Sequence, residues 1–143
     1  MIDDLISYPT VRLLEQTMNF TEQRQNVLAE DISNISTPGF VARDLSVQDF
    51  QKSLRKAIDR KWASNNDTYE PESGESVTFE AGGSRLVAKA SELPNSVAFH
   101  DRGIRSMEYL MTQMADNAYA HNMAAQFLKS RYDQISRAIS MKP

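Results

Sequence analysis

The chain has 143 residues, enough for one ordinary domain with a core but short for two. Its net charge of −3 and the absence of a long basic block argue against nucleic-acid binding, which needs clustered Lys and Arg to displace counterions from phosphates. Zero cysteines exclude disulfides, thiol chemistry and cysteine-based zinc sites, and no apolar run approaches the roughly 20 residues that cross a bilayer.

The N-terminus, Met1-Ile2-Asp3-Asp4-Leu5-Ile6, has acidic residues where a secretory signal has basic ones. The expectation is a cytoplasmic protein, or one that leaves the cell without a cleaved signal. Pro9-Thr10 marks a helix start, with Thr10 as N-cap. From there Val11, Leu14, Met18, Thr21, Gln25, Leu28, Ile32 and Ile35 recur at alternating spacings of three and four, a heptad seam with two polar positions in its middle. At 1.5 Å per residue that helix is roughly 40 Å long. Leu13, Phe20 and Val27 repeat every seven residues on another face, roughly 130° round from the seam. One partner helix cannot cover both stripes, so this helix requires two neighbours.

Thr37-Pro38-Gly39 ends the pattern. Ser46 with Asp49 three residues later resembles a capping box, and a shorter amphipathic helix follows with Val47, Phe50, Leu54, Ile58 and Trp62 on one face. Its other face carries Lys52, Arg55, Lys56, Arg60 and Lys61, which read as a solvated surface or a contact for an acidic neighbour. Residues 64–75 have the composition of a mobile loop. Val77 to Glu80 and Arg85 to Lys89 flank Gly82-Gly83 as a small β-hairpin, and Leu93 to Gly103 is irregular connection.

The last helix carries Met111, Met114, Ala118, His121, Ala125, Leu128, Tyr132, Ile135 and Ile139 at the same alternating spacings, with Ile104 and Met107 upstream. It reaches roughly 50 Å. Ala120, Ala124, Phe127, Ala138 and Met141 form a second face, small enough for close helix approach. The fold class is mainly α. Long N- and C-terminal helices form a coiled-coil-like hairpin, joined by a short middle helix, a mobile loop and a small β-hairpin. Residues 1–36 and 104–143 would be an assembly core and 37–103 a middle region. One seam is enough to hold the hairpin. The second stripes, Leu13, Phe20 and Val27 on the first helix and Phe127 on the last, would stay in water, and exposed patches of that kind mark interaction surfaces.

No catalytic, cofactor-binding or metal site is legible. His100-Asp101 lacks companions for a metal or triad, His121 sits on an apolar seam as a packed or hydrogen-bonded core histidine, and the Met107, Met111, Met114 stripe is ordinary packing. No small-molecule substrate and no cofactor is implied.

Asp31-Ile32-Ser33-Asn34, two further positions, then Thr37-Pro38-Gly39-Phe40 resembles the N-terminal signature of the flagellar rod and hook family. Asp31 stands where the family has its first Asn. Val41-Ala42-Arg43-Asp44, and near the other end Met107 to Met111 and Phe127 to Tyr132, resemble the proximal-rod branch, the FlgB type. The resemblance covers about 30 residues at the start and 40 at the end. It implies a structural, non-enzymatic subunit of the basal-body rod, spanning the periplasm and serving motility. Such subunits pass unfolded through the flagellar type III export apparatus, then co-assemble as homo- and hetero-oligomers with other rod subunits and the rod base at the membrane ring. In that family a Phe followed four residues later by an apolar residue is read at the export gate, which makes Phe50 and Leu54 candidates, although any amphipathic helix shows the same spacing. The other readings are a cytoplasmic helical adaptor or export chaperone and, from the enzymes, a cell-wall hydrolase working beside the rod.

Overall fold

A computed structural model describes residues 9–64, 71–80, 85–93 and 104–140. In chain order the elements are α1 (Pro9–Asn34), β1 (Arg43–Asp44), α2 (Val47–Ser64), β2 (Val77–Glu80), β3 (Arg85–Ala88), β4 (Ser91–Glu92) and α3 (Ile104–Ser140). The fold is mainly α, as the apolar periodicity predicts. Helix α1 opens at Pro9, so Thr10 lies inside it rather than capping it. Proline suits a first turn because its missing N–H has no intrahelical partner there anyway.

Helices α1 and α3 form an antiparallel hairpin. Bonds across it run from Tyr132 with Glu15, through His121 with Thr21, to Asn117 with Gln25. Around α1, Val11, Leu14 and Leu28 are buried toward α3, while Phe20 is buried toward the middle region. The third face, with Glu15, Glu22, Asn26 and Glu30, is exposed.

The middle region supplies the second neighbour that α1 requires. Phe20 stacks on Phe50 of α2 with ring centroids 4.2 Å apart and planes within 2°. Leu45, Leu54, Ala57, Val77 and Leu86 complete that cluster, with Leu13 and Val27 packed against it. Each large side chain buried there stabilises by about 1.5–3 kcal/mol, and the ring pair adds about 0.5–1.5 kcal/mol. The expectation that Leu13, Phe20 and Val27 face solvent in the lone chain is therefore corrected: α2 and the β-hairpin cover them.

Ser46 caps α2 as expected, its Oγ accepting from the Asp49 amide at 3.2 Å. The Asp49 carboxylate does not close the box but accepts from Ser76 Oγ at 2.6 Å, tying α2 to the hairpin. Strands β2 and β3 pair antiparallel with Val77 opposite Ala88 and Glu80 opposite Arg85. Val77 and Leu86 point into the core while Thr78 and Val87 point out, the two-residue period of a half-buried ribbon. Sequence patterning missed the two-residue pairing of β1 with β4, which is too short to show a period. Gly82-Gly83, His100-Asp101, Met141, residues 65–70, residues 94–103 and the Trp62 side chain lie outside what is described.

Candidate assembly interface

The centre of the helical hairpin is polar. Asn117 is 2% exposed, and its Nδ2 donates to the Thr21 carbonyl and to Gln25 Oε1, both at 2.8 Å. The Thr21 hydroxyl lies 2.9 Å from the carbonyls of Thr17 and Met18 and 2.9 Å from His121 Nδ1. The hydroxyl has a single proton, so the direction of its bond with His121 Nδ1 is set by the His121 tautomer. One turn further along, Arg24 donates to both Asp44 carboxylate oxygens at 2.8 and 2.6 Å and to Gln113 Oε1 at 2.7 Å. That one guanidinium joins α1, β1 and α3. Asn117 Oδ1 has no partner.

The residues that ended the first helix pattern form a chain reversal. Ser33 Oγ and Asn34 Nδ2 donate back to the carbonyls of Ala29 and Glu30 at 2.8 Å, and the Thr37 amide to the Asn34 carbonyl at 2.8 Å. Phe40 N–H then bonds the Thr37 carbonyl at 3.1 Å, with Gly39 at φ 79°. Pro at the second and Gly at the third position of a four-residue turn give the type II geometry, whose positive φ favours Gly. Asp31, fully buried, accepts from the Arg43 amide at 2.6 Å through Oδ2, and the Arg43 guanidinium pairs with Glu30 at 3.1 Å. Burial pushes the Asp31 carboxyl above its usual range, partly countered by the Arg43 amide and charge. Asp31 Oδ1 is unpartnered.

Of the predicted seam, Val11, Leu14 and Leu28 are buried, and Met18, Ile32, Ile35, Met114, Leu128 and Ile135 half-buried. Met111, Tyr132 and Ile139 are corrected to exposed positions. The deepest residues of α3 are instead Leu110, Asn117 and Ala124, seven apart and each one position before the predicted Met111, Ala118 and Ala125. A set containing an amide and a methyl carries too little hydrophobicity to reveal itself as a stripe. On the outward side of α3, Tyr119 is 69% and Phe127 55% exposed, with Met123 half-buried between them. Phe50 and Leu54 are buried in the core of the middle region. Arg24, Gln113, Gln23 and Asn117 were missed; buried polar side chains look like surface residues in a hydropathy pattern.

No protein-family model matches the chain. A flagellar basal body rod protein FlgB of Salmonella typhimurium is 29% identical over 122 residues, 85% of this chain and 86% of that one. FlgB of Escherichia coli is 28% identical over 132 residues, covering 92% and 91%. Over most of its length the chain is similar to FlgB-type flagellar basal body rod proteins. FlgB of Yersinia enterocolitica matches a shorter stretch more strongly, 39% over 54 residues, 38% of this chain and 37% of its own. The lengthwise match to the FlgB proteins includes the middle region, which the short motifs do not reach.

Proposed function

We propose that this chain is a structural subunit of the flagellar basal-body rod and not an enzyme, built into the rod through the outward face of α3. Similarity to FlgB proteins over more than nine-tenths of the chain carries the reading. The uncovered Tyr119 and Phe127 support it, because α1 has both of its apolar faces filled from within the chain and α3 does not. The terminal segments 1–36 and 104–143 would form the assembly core, and 37–103 the buttress of α1. The neighbours are other rod subunits and the rod base at the membrane ring, in the part of the basal body that spans the periplasm. The chain reaches it through the type III export apparatus. Phe50 and Leu54 are buried once folded, so an export gate would meet them only in the unfolded chain.

Burying an aromatic of this size contributes about 1.5–3 kcal/mol at each copy. The test is Tyr119→Ser with Phe127→Ser in a strain making only that variant. The purified double variant should keep wild-type helicity, since both side chains are solvent-exposed, while basal-body yield and motility collapse. Normal basal bodies from that strain would reject α3 as the assembly face. Absence of the wild-type chain from purified basal bodies would reject the rod reading itself.

A further inference from the structure

The two helices that meet in the middle region differ sharply in surface charge. Helix α2 holds five basic and two acidic residues, a net of +3 in a chain whose total is −3, so everything else sums to −6. Lys52, Arg55 and Lys56 are exposed; Glu72 of the same chain pairs with Arg60 at 2.6 Å and lies within the field of Lys56, leaving Lys52 and Arg55 without an ion pair among the described residues. The exposed third face of α1 offers acids, Glu15 and Glu22, two turns apart on one side. Within one chain these two surfaces do not neutralise each other: α2 turns its apolar side to α1 and Lys52 and Lys56 to solvent.

Between copies that each carry a net charge of −3, the electrostatically favourable approach sets the basic face of one against an acidic face of the next. From this we infer that α2 is a docking surface for a second copy of the chain, its Lys52, Arg55 and Lys56 set against Glu15 and Glu22 on the α1 of that copy. The two surfaces are different parts of the same molecule, so the contact is head-to-tail and repeats from copy to copy, the geometry that builds rings or helical tubes rather than closed pairs. The inference rests on the reading that the chain assembles, but it concerns the contact between like copies and not the α3 face.

Charge exchange tests it. Variant one carries Lys52→Glu and Lys56→Glu; variant two carries Glu15→Lys and Glu22→Lys. All four positions are exposed, and the Glu15 contact they sacrifice is a 3.3 Å surface bond from Tyr132, so circular dichroism should match wild type. Sedimentation of the full chain in low salt should show association weakened at least tenfold in each variant alone. An equimolar mixture should regain it, because each acidic α2 then meets a basic α1 and each acidic α1 a basic α2. Raising the salt to about 1 M, where the screening length falls to roughly 3 Å, should dissociate wild type and mixture alike. Wild-type association in either variant, a mixture that stays dissociated, or indifference to salt would each overturn the inference. None of these outcomes depends on whether the chain is found in basal bodies.

Discussion

Asp31 stands where α1 gives way to the returning chain, and it does one job with half of its carboxyl. Oδ2 receives the Arg43 amide, while Oδ1 is buried without a partner. The charge is therefore held at a cost, which is why the carboxyl titrates above its usual value of 3.8. An acid whose folded-state pKa is raised binds its proton more tightly in the folded chain. Its contribution to stability is complete below the unfolded value and is lost as pH rises through the folded one. Asp31→Asn keeps an oxygen for the Arg43 amide and removes the charge. The variant should be more stable than wild type at neutral pH, by on the order of 1 kcal/mol, and should lose less stability as pH rises from about 4 to about 7. Urea unfolding across that range checks it, and parallel curves for the two proteins would show that Asp31 does not carry the dependence. The sequence marked Asp31 as a departure from a motif. That its carboxylate holds the backbone twelve residues later was not legible, because a bond between distant positions leaves no periodic trace.

At the scale of elements, the helix periods located α1, α2 and α3, and the Pro-Gly turn located the break after α1. They also showed that α1 has two apolar faces. Which neighbour covers the second face could not be told from spacing, since Phe20 presents the same pattern whether it meets another subunit or the middle of its own chain. Phe50 answers it: the two rings stack 4.2 Å apart inside the lone chain. The same polar composition that reads as a loosely structured middle also supplies its fastenings. Gln23 of α1 donates to the Leu86 carbonyl at 2.7 Å and accepts from the Ala88 amide at 3.0 Å, closing the open edge of β3 as a strand would. Phe20→Ser should consequently destabilise the isolated chain by about 3–5 kcal/mol and loosen the β-hairpin with it. Thermal unfolding measures the first effect, and hydrogen exchange of the Ala88 amide the second. A variant as stable as wild type would mean that the middle region does not buttress α1 in solution. Tyr119→Ser is the contrast, since its side chain meets solvent and its loss should leave the unfolding free energy within about 0.5 kcal/mol of wild type.

Across the whole molecule, the two long helices are joined by a seam that is apolar toward its ends and polar at its centre. Thr21, Gln25, Asn117 and His121 meet there, and the neighbouring Arg24 bridges to Gln113 and Asp44. Such a layer penalises any sliding of one helix past the other, because a shift by one turn would strand buried donors and acceptors. It also adds less net stability than the hydrocarbon that might occupy the same space, since hydrogen bonds to water are surrendered to make it. On the proposed reading, in which the chain threads an export channel unfolded and then has to find a single register, both properties would be an advantage. Truncating one member should be costly: Asn117→Ala leaves Gln25 Oε1 without its donor and opens a void, for about 1–3 kcal/mol. Replacing the cross-seam group together, Gln25→Leu with Asn117→Leu and His121→Leu, removes these side-chain donors and acceptors in concert, leaves the Thr21 hydroxyl bonded to its own helix, and should leave the hairpin at least as stable as wild type. If the polar layer serves export and register, the triple variant should nevertheless be secreted more slowly and assemble less faithfully than wild type. Urea midpoints, secreted protein per cell and basal-body yield are the three measurements. A triple variant that is hyperstable, fully secreted and fully assembled would show that the polar centre is incidental. One that unfolds as readily as Asn117→Ala would show that these hydrogen bonds hold the hairpin together outright.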